Sequence, residues 1–349
     1  MFKPIFHYTD NIVNNLTFIA EAKTIIIKTP LIPNWELSLK KAAILTNAHS
    51  STAIEGNSLT FEDVTALAGG HEVKVKIEDR QEVLNYFELL EKLPDFASKD
   101  PFTFEDLLEV HKIITKDVLE DNEDGGVFRN HEVVVSHPDT REVIFRPPET
   151  SKVPELIESL LEWINSPETE NLNPIIVSGL THYELFRIHP FIDGNGRTAR
   201  IMAMTVLYKR SYDLKRFLAL DEYYNIDISR YYDALKTVNP DLLDITLWLE
   251  YFTNGVAVSI KSVMDKVLGL SEDVKFLEKK RKIPLNERQM KIVEKIIEKG
   301  KIANRDVQEM FGLSHSTAFD ELQKLLKLEV VEIKGKGRST HYVLNSSEE

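Results

Sequence analysis

Apolar residues recur at every third or fourth position along most of the chain, which is the period of an amphipathic α-helix. This pattern is clearest in several segments whose lengths suit packed helices. They are residues 84–93, 104–119, 154–164, 174–187, 197–209 and 242–252. The chain before residue 255 is therefore predicted to be mainly α-helical.

One segment in this part departs from the helical period. Residues 133–135 and 143–145 are runs of β-branched and aromatic residues, and the residues 136–140 between them include turn formers. Two such runs around a turn predict a β-hairpin. Because a lone hairpin is only marginally stable by itself, we interpret it as a flap rather than a core element.

The pattern changes again near residue 267, where charge rises and apolar residues thin out as far as Pro284. Beyond Pro284, Gly312 is a typical helix end and Ser314 a typical helix cap. The predicted elements are helices over 286–299, 304–311 and 315–328, then strands over 330–333 and 340–344. This order is typical of a winged helix-turn-helix module.

Composition limits the possible functions. The 349 residues are 42% hydrophobic and 28% charged, which excludes globally disordered, collagen-like and coiled-coil classes. The net charge of −13 means that any anionic ligand needs a local basic site. Residues 285–349 carry 11 basic and 11 acidic side chains, so DNA binding and protein docking both stay open for the winged-helix module.

The chain contains no cysteine, so disulfides, thiolate metal sites and a cysteine nucleophile are excluded. Its first residues contain neither a continuous apolar run nor a small-residue cleavage site. No stretch approaches the ~18 apolar residues of a membrane span. We therefore expect a soluble, cytoplasmic protein without a membrane partner.

The residue types most suited to chemistry lie together in residues 189–200, which read HPFIDGNGRTAR. Pro190 ends one predicted helix, and Gly194 and Gly196 let the backbone approach a ligand closely. The next helix begins at about residues 195–197. The unpaired amides at its N-terminus form an anion site.

The side chains of this segment add to the anion site. Arg197 and Arg200 are three residues apart, so they share a helix face and can hold the same polyanion. Asp193 is a hard oxygen ligand suited to a magnesium ion that bridges phosphates. His189 can accept a proton from a hydroxyl near neutral pH. Together these residues predict phosphoryl or nucleotidyl transfer.

Residues 189–200 resemble the signature of the Fic family, His-x-Phe-x-Asp/Glu-Gly-Asn-Gly-Arg-x-x-Arg, and match every fixed position of it. The resemblance implies an all-helical Fic fold over about residues 100–255. It also implies transfer of AMP from ATP to a Ser, Thr or Tyr hydroxyl of a target protein, with release of pyrophosphate. ATP is the implied substrate and Mg²⁺ the implied ion.

The resemblance further implies roles for individual residues. His189 would be the general base, Asp193 would hold Mg²⁺, and Phe191 would be a buried anchor of the loop. Arg197 would bind the β-phosphate and Arg200 the γ-phosphate. The implied ATP-binding residues of this segment are Gly194, Asn195 including its side chain, Gly196, Arg197, Thr198 and Arg200.

Two further regions gain a role from the same resemblance. The hairpin edge, made of Val143, Ile144, Phe145 and Arg146, would pair with the backbone of the target by strand addition. Tyr231, Tyr232 and Asn239 would line the adenosine pocket. A purely structural hairpin and buried helix-face tyrosines stay open as alternatives.

A second motif lies upstream at residues 51–57, which read STAIEGN. Ser51 and Glu55 are four residues apart and share a helix face, and Gly56 ends that helix. The motif resembles the inhibitory sequence of Fic proteins, Ser/Thr-x-x-x-Glu-Gly/Asn, in the class with an N-terminal inhibitory helix. The resemblance implies that Glu55 pairs with Arg200 and takes the place of the γ-phosphate. An ordinary helix end is the alternative.

The sequence thus predicts a mainly α protein of four parts. They are an N-terminal helical region 1–99 with the inhibitory helix at about 45–56, a Fic core 100–255, a charged helix or linker 256–284, and a winged-helix module 285–345. The favoured function is an autoinhibited protein adenylyltransferase.

Several alternatives stay open beside that function. One is transfer of UMP, phosphocholine or phosphate, and another is removal of AMP from a modified target. A third is a DNA-binding regulator that uses the core as a nucleotide sensor. The target protein is open, and so is a homodimer.

Overall fold

The computed structural model of the protein describes residues 2–31, 33–136, 143–238, 242–280, 285–328, 330–335 and 337–345. The chain divides into two compact units, residues 1–267 and residues 268–349. The predicted division into four parts stays a prediction. Within the described residues, no helix is long and apolar enough to cross a membrane.

The first unit is built from α-helices and one short hairpin. The helices, of which α12 continues past residue 267, are α1 Asp10–Lys28, α2 Pro33–Ile54, α3 Phe61–Ala68, α4 Ile77–Ala97, α5 Phe104–Thr115, α6 Val153–Ile164, α7 Pro167–Glu170, α8 Pro174–Ile188, α9 Asn195–Lys209, α10 Leu220–Ile226, α11 Ile228–Lys236 and α12 Thr246–Lys280. The hairpin strands are β1 Val135–Ser136 and β2 Val143–Phe145.

Helix α8 lies at the centre of this unit. Every residue from Ile175 to Phe186 is buried, as expected of a helix that is covered on all sides. It packs against α9, and a Cβ at Gly179 would lie 2.8 Å from a methyl group of Leu249 on α12. The Trp248 indole N–H of α12 donates to the Gly179 carbonyl at 2.8 Å. Helix α8, which leads into the α8–α9 junction, is therefore packed closely against α12.

Helix α2 carries the predicted inhibitory motif and packs against α10, α4 and α3. The side chain of Asn47 is buried and donates to the Leu218 carbonyl at 2.8 Å. After α2 ends at Ile54, Gly56 adopts a φ of +94°, which favours glycine. The body of α2 is thus fixed, and the chain turns immediately beyond Glu55.

The hairpin pairs β1 with β2 in antiparallel orientation, with Val135 opposite Phe145 and Ser136 opposite Val143. The ring of Phe145 stacks on Phe186 of α8 with a centroid separation of 5.9 Å, while the Val143 side chain is exposed. This confirms the predicted hairpin beside the helical core. Most of the predicted turn, residues 137–140, lies outside the described residues.

The second unit contains helices and a two-stranded sheet. They are α13 Glu287–Lys299, α14 Asn304–Phe311, α15 His315–Lys327, β3 Val331–Lys334 and β4 His341–Leu344. Gly312 ends α14 in the left-handed region, and the Ser314 hydroxyl accepts from the Thr317 amide at 3.3 Å, as predicted. The order of elements is compatible with a winged helix.

Three predicted helices differ from the observed ones by several residues. Helix α4, Ile77–Ala97, is longer at both ends than the predicted 84–93. The helix predicted to reach residue 119 ends at Thr115, because Asp117 takes a left-handed φ of 57°. The helix predicted from residue 242 begins at Thr246, whose amide donates to the Asp244 carboxylate at 3.0 Å. Helix α12 then continues to Lys280, so the charge-rich segment is helical as far as the structure describes it.

Candidate functional site

The candidate site lies where α8 ends and α9 begins. Helix α8 is capped at its C-terminal end by His189, which has a left-handed φ of 49° and whose amide donates to the Leu185 carbonyl. Gly194 precedes α9 with a φ of +73°, and a Cβ there would lie 2.9 Å from the Thr115 side chain. Glycine is therefore required at this position by both its backbone conformation and the lack of space.

The loop between the two helices is fixed from within by Asn195. Its side-chain oxygen accepts from the Phe191 amide and its side-chain nitrogen donates to the Phe191 carbonyl, both at 2.9 Å. The Phe191 ring is fully buried, as expected of an anchor. Both polar atoms of the Asn195 side chain bind Phe191, but its amide nitrogen carries a second N–H donor, so the predicted phosphate binding by this side chain stays a prediction. The predicted ligand Thr198 likewise donates its hydroxyl to the Gly194 carbonyl at 2.8 Å.

His111 of α5 fixes the same loop from outside. Its ring lies 3.6 Å from the Phe191 ring at an angle of 2°. Nδ1 accepts from the Gly126 amide, so Nε2 carries the proton and donates to the Asp193 carbonyl, both at 2.9 Å. Burial lowers the pKa of His111 to about 4, which keeps this neutral form. The sequence reasoning missed His111, although its place on the apolar face of α5 was a signal.

The proposed base His189 keeps partial solvent exposure, while its Nδ1 is buried. Burial lowers the pKa of its imidazole to about 4, and the charge of Arg129 acts in the same direction. Asp193 opposes this shift. The ring is therefore neutral at pH 7 and available to accept a proton.

Arg197 is buried and is held by two carboxylates. Its Nη1 donates to Glu82 of α4 at 2.7 Å, and its Nη2 lies 3.4 Å from Asp193. Glu82 also accepts from the Asn57 side chain at 2.8 Å. Burial raises the pKa of Glu82, and Arg197 opposes that shift. The sequence reasoning did not find Glu82, which reaches Arg197 from a distant helix.

Arg200 has a side chain with no solvent exposure and is held by the end of α2. Its Nε donates to the Ser51 hydroxyl at 2.7 Å, and its Nη2 donates to the Ser51 carbonyl and to Glu55 Oε1, both at 2.8 Å. Burial by itself would lower the pKa of Arg200, but Glu55 and other groups around it raise that pKa well above its usual value. The Nη1 group is buried without a hydrogen-bond partner among the described residues.

The Glu55 carboxylate lies against the N-terminus of α9. A Cβ built on Gly196 would overlap Glu55 Oε1 and would lie 3.1 Å from Arg200 Nη1. Only glycine leaves space for an oxygen anion here. The structure thus brings Glu55, Arg200 and the α9 amides together, and a carboxylate stands where a phosphate would bind these groups.

A second buried carboxylate lies near Arg200. Asp221 of α10 is fully buried and accepts from the Tyr86 hydroxyl at 2.7 Å. Burial raises the pKa of Asp221, while Arg200 lowers it. This residue was not predicted, and its electrostatic interaction with Arg200 does not involve Glu55.

The predicted adenosine residues are less accessible than expected. Tyr231 is buried and its hydroxyl lies 2.9 Å from His182 Nε2, and Tyr232 is also buried. Asn239 lies outside the described residues. A cavity of about 470 Å³ opens instead beside the hairpin. Its lining residues are Phe145, Arg146, Pro147, Pro148, Tyr183, Phe186, Arg187, Leu235, Lys236 and Val238.

Asp193 is the available carboxylate for a cation. Its side chain is 59% exposed, and Oδ1 accepts from the Gly194 amide at 2.6 Å. No group of three or more ligand side chains that could hold a metal occurs among the residues described. Mg²⁺ commonly needs only one or two carboxylates when substrate phosphates and water supply the other ligands. The geometry fits an ion that arrives with a phosphate substrate.

The fold and the site define a mainly helical protein with an anion site at the α8–α9 junction. Residues 101–207 match the Fic/DOC family model, so this part of the chain is similar to the family that the sequence motif resembles. Residues 289–345 match the model described as "Transcriptional regulator DIP2311-like, C-terminal domain".

Curated relatives and solved structures agree with this assignment. Proteins named "Protein adenylyltransferase Fic" from Drosophila willistoni and Drosophila grimshawi are 30% and 32% identical to the chain over 179 and 176 residues. Each match covers 50% of this chain but only 34% and 35% of the relative. The chain therefore spans about a third of the length of these curated relatives.

The solved structures extend the likeness in fold. A Fic family protein from Desulfovibrio desulfuricans G20 aligns with a TM-score of 0.70 over 100% of both chains at 24% identity. Fic-1 from C. elegans aligns with a TM-score of 0.60 over 75% of this chain and 73% of that one at 21% identity. These likenesses confirm the predicted helical Fic fold.

Proposed function

We propose that this protein is an autoinhibited protein adenylyltransferase, which transfers AMP from ATP to a hydroxyl side chain of a target protein. The observation that carries the proposal is the convergence of His189, the α9 amides, Arg197 and Arg200 at one junction, with Glu55 bound to Arg200 at 2.8 Å. The named activity of the Drosophila relatives supports the choice of AMP as the transferred group.

In this reaction the target hydroxyl attacks the α-phosphorus of ATP. A new bond forms between the hydroxyl oxygen and phosphorus, and the bond from phosphorus to the oxygen bridging to the β-phosphate breaks, so pyrophosphate leaves. His189 accepts the hydroxyl proton, because its ring is neutral at pH 7. The α9 amides and Arg197 hold the phosphates and stabilise the charge that develops on them.

Asp193 would hold Mg²⁺ together with the phosphates of the substrate. The ion would supply charge neutralisation between adjacent phosphates. His111 and Asn195 fix the loop that carries Asp193, so they orient this carboxylate without touching the substrate.

The inhibited state follows from the position of Glu55. Its carboxylate accepts a hydrogen bond from the Arg200 guanidinium, the group to which the γ-phosphate would bind. The same carboxylate places a negative charge at the N-terminus of α9. ATP must displace it or bind in a different position. Displacement exchanges one anion on Arg200 for another, so the buried guanidinium is not left unpaired.

The test uses label transfer from α-phosphate-labelled ATP to the proteins of a cell lysate and to a random peptide library containing Ser, Thr and Tyr. We expect Glu55→Gly protein to transfer label and Glu55→Gly/His189→Ala protein to lose the transfer while keeping its circular dichroism spectrum. Retained transfer in the double variant would remove His189 as the base.

The same assay separates the alternative transferred groups. Parallel reactions with labelled UTP, CDP-choline and γ-phosphate-labelled ATP test UMP, phosphocholine and phosphate transfer. Removal of AMP is tested by incubating a pre-labelled target with wild-type and Glu55→Gly protein. Greater release by the wild type would assign that activity to Glu55.

For the winged-helix module we propose DNA binding. The single observation that favours it is the burial of Glu321, which accepts from the Gln289 side chain at 2.9 Å and pairs with Lys324. One of the two acidic residues in the middle of α15 is thus turned inward, so the exposed surface of this helix is less acidic than the sequence suggests. The likeness to a transcriptional regulator domain supports the same choice.

This second proposal is tested by gel shift of the full chain on random double-stranded DNA at increasing salt. A straight fall of log affinity with log salt would show phosphate contacts. We expect Ser316→Glu, on the exposed first turn of α15, to weaken binding more than Thr65→Glu, which adds the same charge on α3. Equal effects would refute binding through α15.

A further inference from the structure

A buried arginine that no motif includes lies between the hairpin and the loop that carries His189. Arg129 precedes β1, and its side chain has no solvent exposure. A guanidinium presents N–H donors in a fixed planar fork. The partners of this fork show what the residue holds together.

One end of the fork binds the catalytic loop. Arg129 Nε donates to the His189 carbonyl at 2.9 Å, and the backbone amide of Arg129 donates to the Pro190 carbonyl at 2.9 Å. His189 is a non-glycine residue in the left-handed region, with a φ of 49°. Arg129 therefore fixes the peptide unit of the proposed base in a conformation that histidine seldom adopts.

The other end of the fork binds both ends of the flap, which we define as the described residues 131–136 and 143–150. Nη1 donates to the His131 carbonyl at 3.2 Å and to the Thr150 hydroxyl at 2.6 Å. Nη2 donates to the Pro148 carbonyl. The two ends of the flap, about twenty residues apart in sequence, thus meet on one side chain.

All of these acceptors are neutral. Among the described residues, the one carboxylate that pairs with Arg129 is that of Glu132, which lies 3.7 Å away and is largely exposed. Because little negative charge lies close to the Arg129 guanidinium, its positive charge acts on the neighbouring His189 ring. The charged and titratable groups that act on His189 are Arg129 and Asp193. Arg129 therefore also favours the neutral form of the His189 ring.

We propose that Arg129 is a positioning residue that couples the flap to the base, by holding both ends of the flap and the His189 carbonyl on one guanidinium. The inference rests on the proposed function for its catalytic consequence. A target strand that pairs with the flap would then be held at a fixed position relative to His189, because flap and loop could not move independently. A rigid connection of this kind matters because small misplacements of reacting groups slow a reaction strongly.

The test compares Arg129→Lys and Arg129→Gln in the Glu55→Gly background, with Arg210→Gln as the matched control. Arg210 also donates to neutral acceptors, the carbonyl and hydroxyl of Thr169 at 2.8 Å, and within the described part of the chain none of its side-chain hydrogen bonds reaches the flap or the loop. The probes are α-phosphate-labelled ATP and the random Ser, Thr and Tyr peptide library.

We expect both Arg129 variants to lower the rate at saturating ATP by about tenfold to a hundredfold with little change in the KM for ATP. Arg129→Gln removes the charge as well and is expected to move the acidic limb of the pH profile upward. Arg129→Lys keeps the charge and should leave that limb in place. A merely structural role would lower stability without separating the two variants by their pH profiles.

A second readout does not depend on transfer. Hydrogen exchange of the full chain should show faster exchange in both residues 143–145 and residues 189–196 for the Arg129 variants, and in neither for Arg210→Gln. NMR titration should show a higher His189 midpoint in Arg129→Gln, with His189→Gln used for assignment. If Arg129→Gln does not fold, Arg129→Lys carries the rate and exchange tests.

The outcomes separate the two proposals. If the Glu55→Gly parent transfers no group but flap and loop loosen together, the proposed function fails and the coupling stands. If transfer proceeds and the Arg129 variants keep the parent rate, or if only the flap loosens, the coupling is refuted and the proposed function stands.

Discussion

Glu55 Oε1 lies 2.8 Å from Arg200 Nη2, and the two side chains differ sharply in exposure: 26% for Glu55 and none for Arg200. Ser51 holds the buried arginine through its hydroxyl and its carbonyl. Glu55 lies beyond the last residue of α2, directly before Gly56 in the left-handed region. A local movement at the end of α2 would therefore be enough to free Glu55 from the pair. Arg200 would stay in place, because Ser51 holds it.

Replacing Glu55 should make Arg200 available to ATP. We expect Glu55→Gly to raise ATP affinity and label transfer at least about tenfold, equivalent to roughly 1.4 kcal/mol, because the anion competing for Arg200 is removed. Glu55→Gln should give an intermediate value, since it keeps a hydrogen bond without the charge. Isothermal titration with ATP and the transfer assay measure both effects.

The control is Glu72→Gly, which removes the same charge from an exposed loop residue. Equal ATP affinity in wild-type and Glu55→Gly protein would contradict the inhibitory role. The contact between Glu55 and Arg200 in the wild-type protein would then not hinder ATP binding.

Ser51 should matter for stability as well as inhibition. Ser51→Ala leaves the Arg200 Nε donor without its partner in a fully buried position, which we expect to cost about 2 kcal/mol. The loss is measured as the change in the free energy of unfolding in urea. Ser50→Ala, at the neighbouring buried serine of α2, is the control. A Ser51→Ala protein as stable as Ser50→Ala would mean that the Arg200 bond contributes nothing to the fold.

The sequence predicted the helices and the loop of the site well, because both depend on local signals. The apolar period located α8 and α9, and Pro190, Gly194 and Gly196 marked the break between them. The helix predicted to end at residue 119 was too long, because the end of α5 depends on Asp117 taking a left-handed conformation, which the apolar period does not reveal.

The partners that reach the site from elsewhere were not predictable in the same way. Glu82 meets Arg197 across 115 residues of sequence, and Tyr86 meets Asp221 across 135. Such contacts depend on how helices pack, and the periodicity of each helix does not specify its neighbours. Glu55 was connected to Arg200 only because two separate motifs resembled parts of one family.

Asn195 offers a test of what this side chain does. If it holds the loop, as its two bonds to Phe191 indicate, Asn195→Ala should lower the free energy of unfolding by about 2 kcal/mol as well as lowering activity. If it bound phosphate instead, the variant would change the KM for ATP and leave stability unchanged.

The chain offers a matched control for this variant. Asn165 binds the amide and the carbonyl of Phe102 in the same way, at 3.0 and 2.8 Å. Asn165→Ala should lose comparable stability and keep the rate of transfer measured in the Glu55→Gly background. A loss of transfer only in Asn195→Ala would then be due to the position of the loop.

Buried histidines should make the stability of the first unit depend on pH. Burial lowers the pKa of His111 and His189 to about 4 and that of His182 well below its usual value, whereas an unfolded histidine titrates near 6.5. Below pH 6.5 the unfolded chain therefore binds protons that the folded chain does not, so stability falls as pH falls toward 4. Glu82 and Asp221, whose pKa values are raised, act in the opposite direction.

One variant isolates the histidine contribution from these opposing carboxylates. His182→Gln keeps a polar group beside the Tyr231 hydroxyl but cannot titrate. Between pH 6.5 and pH 5 we expect wild-type protein to lose about 2 kcal/mol more stability than His182→Gln, at roughly 1.4 kcal/mol per pH unit for one group. Urea unfolding followed by tryptophan fluorescence at both pH values measures this difference. If the free energy of unfolding changed with pH equally in the two proteins, His182 would be protonated in the folded state as readily as in the unfolded chain. Burial of His182 would then not explain the loss of stability at low pH.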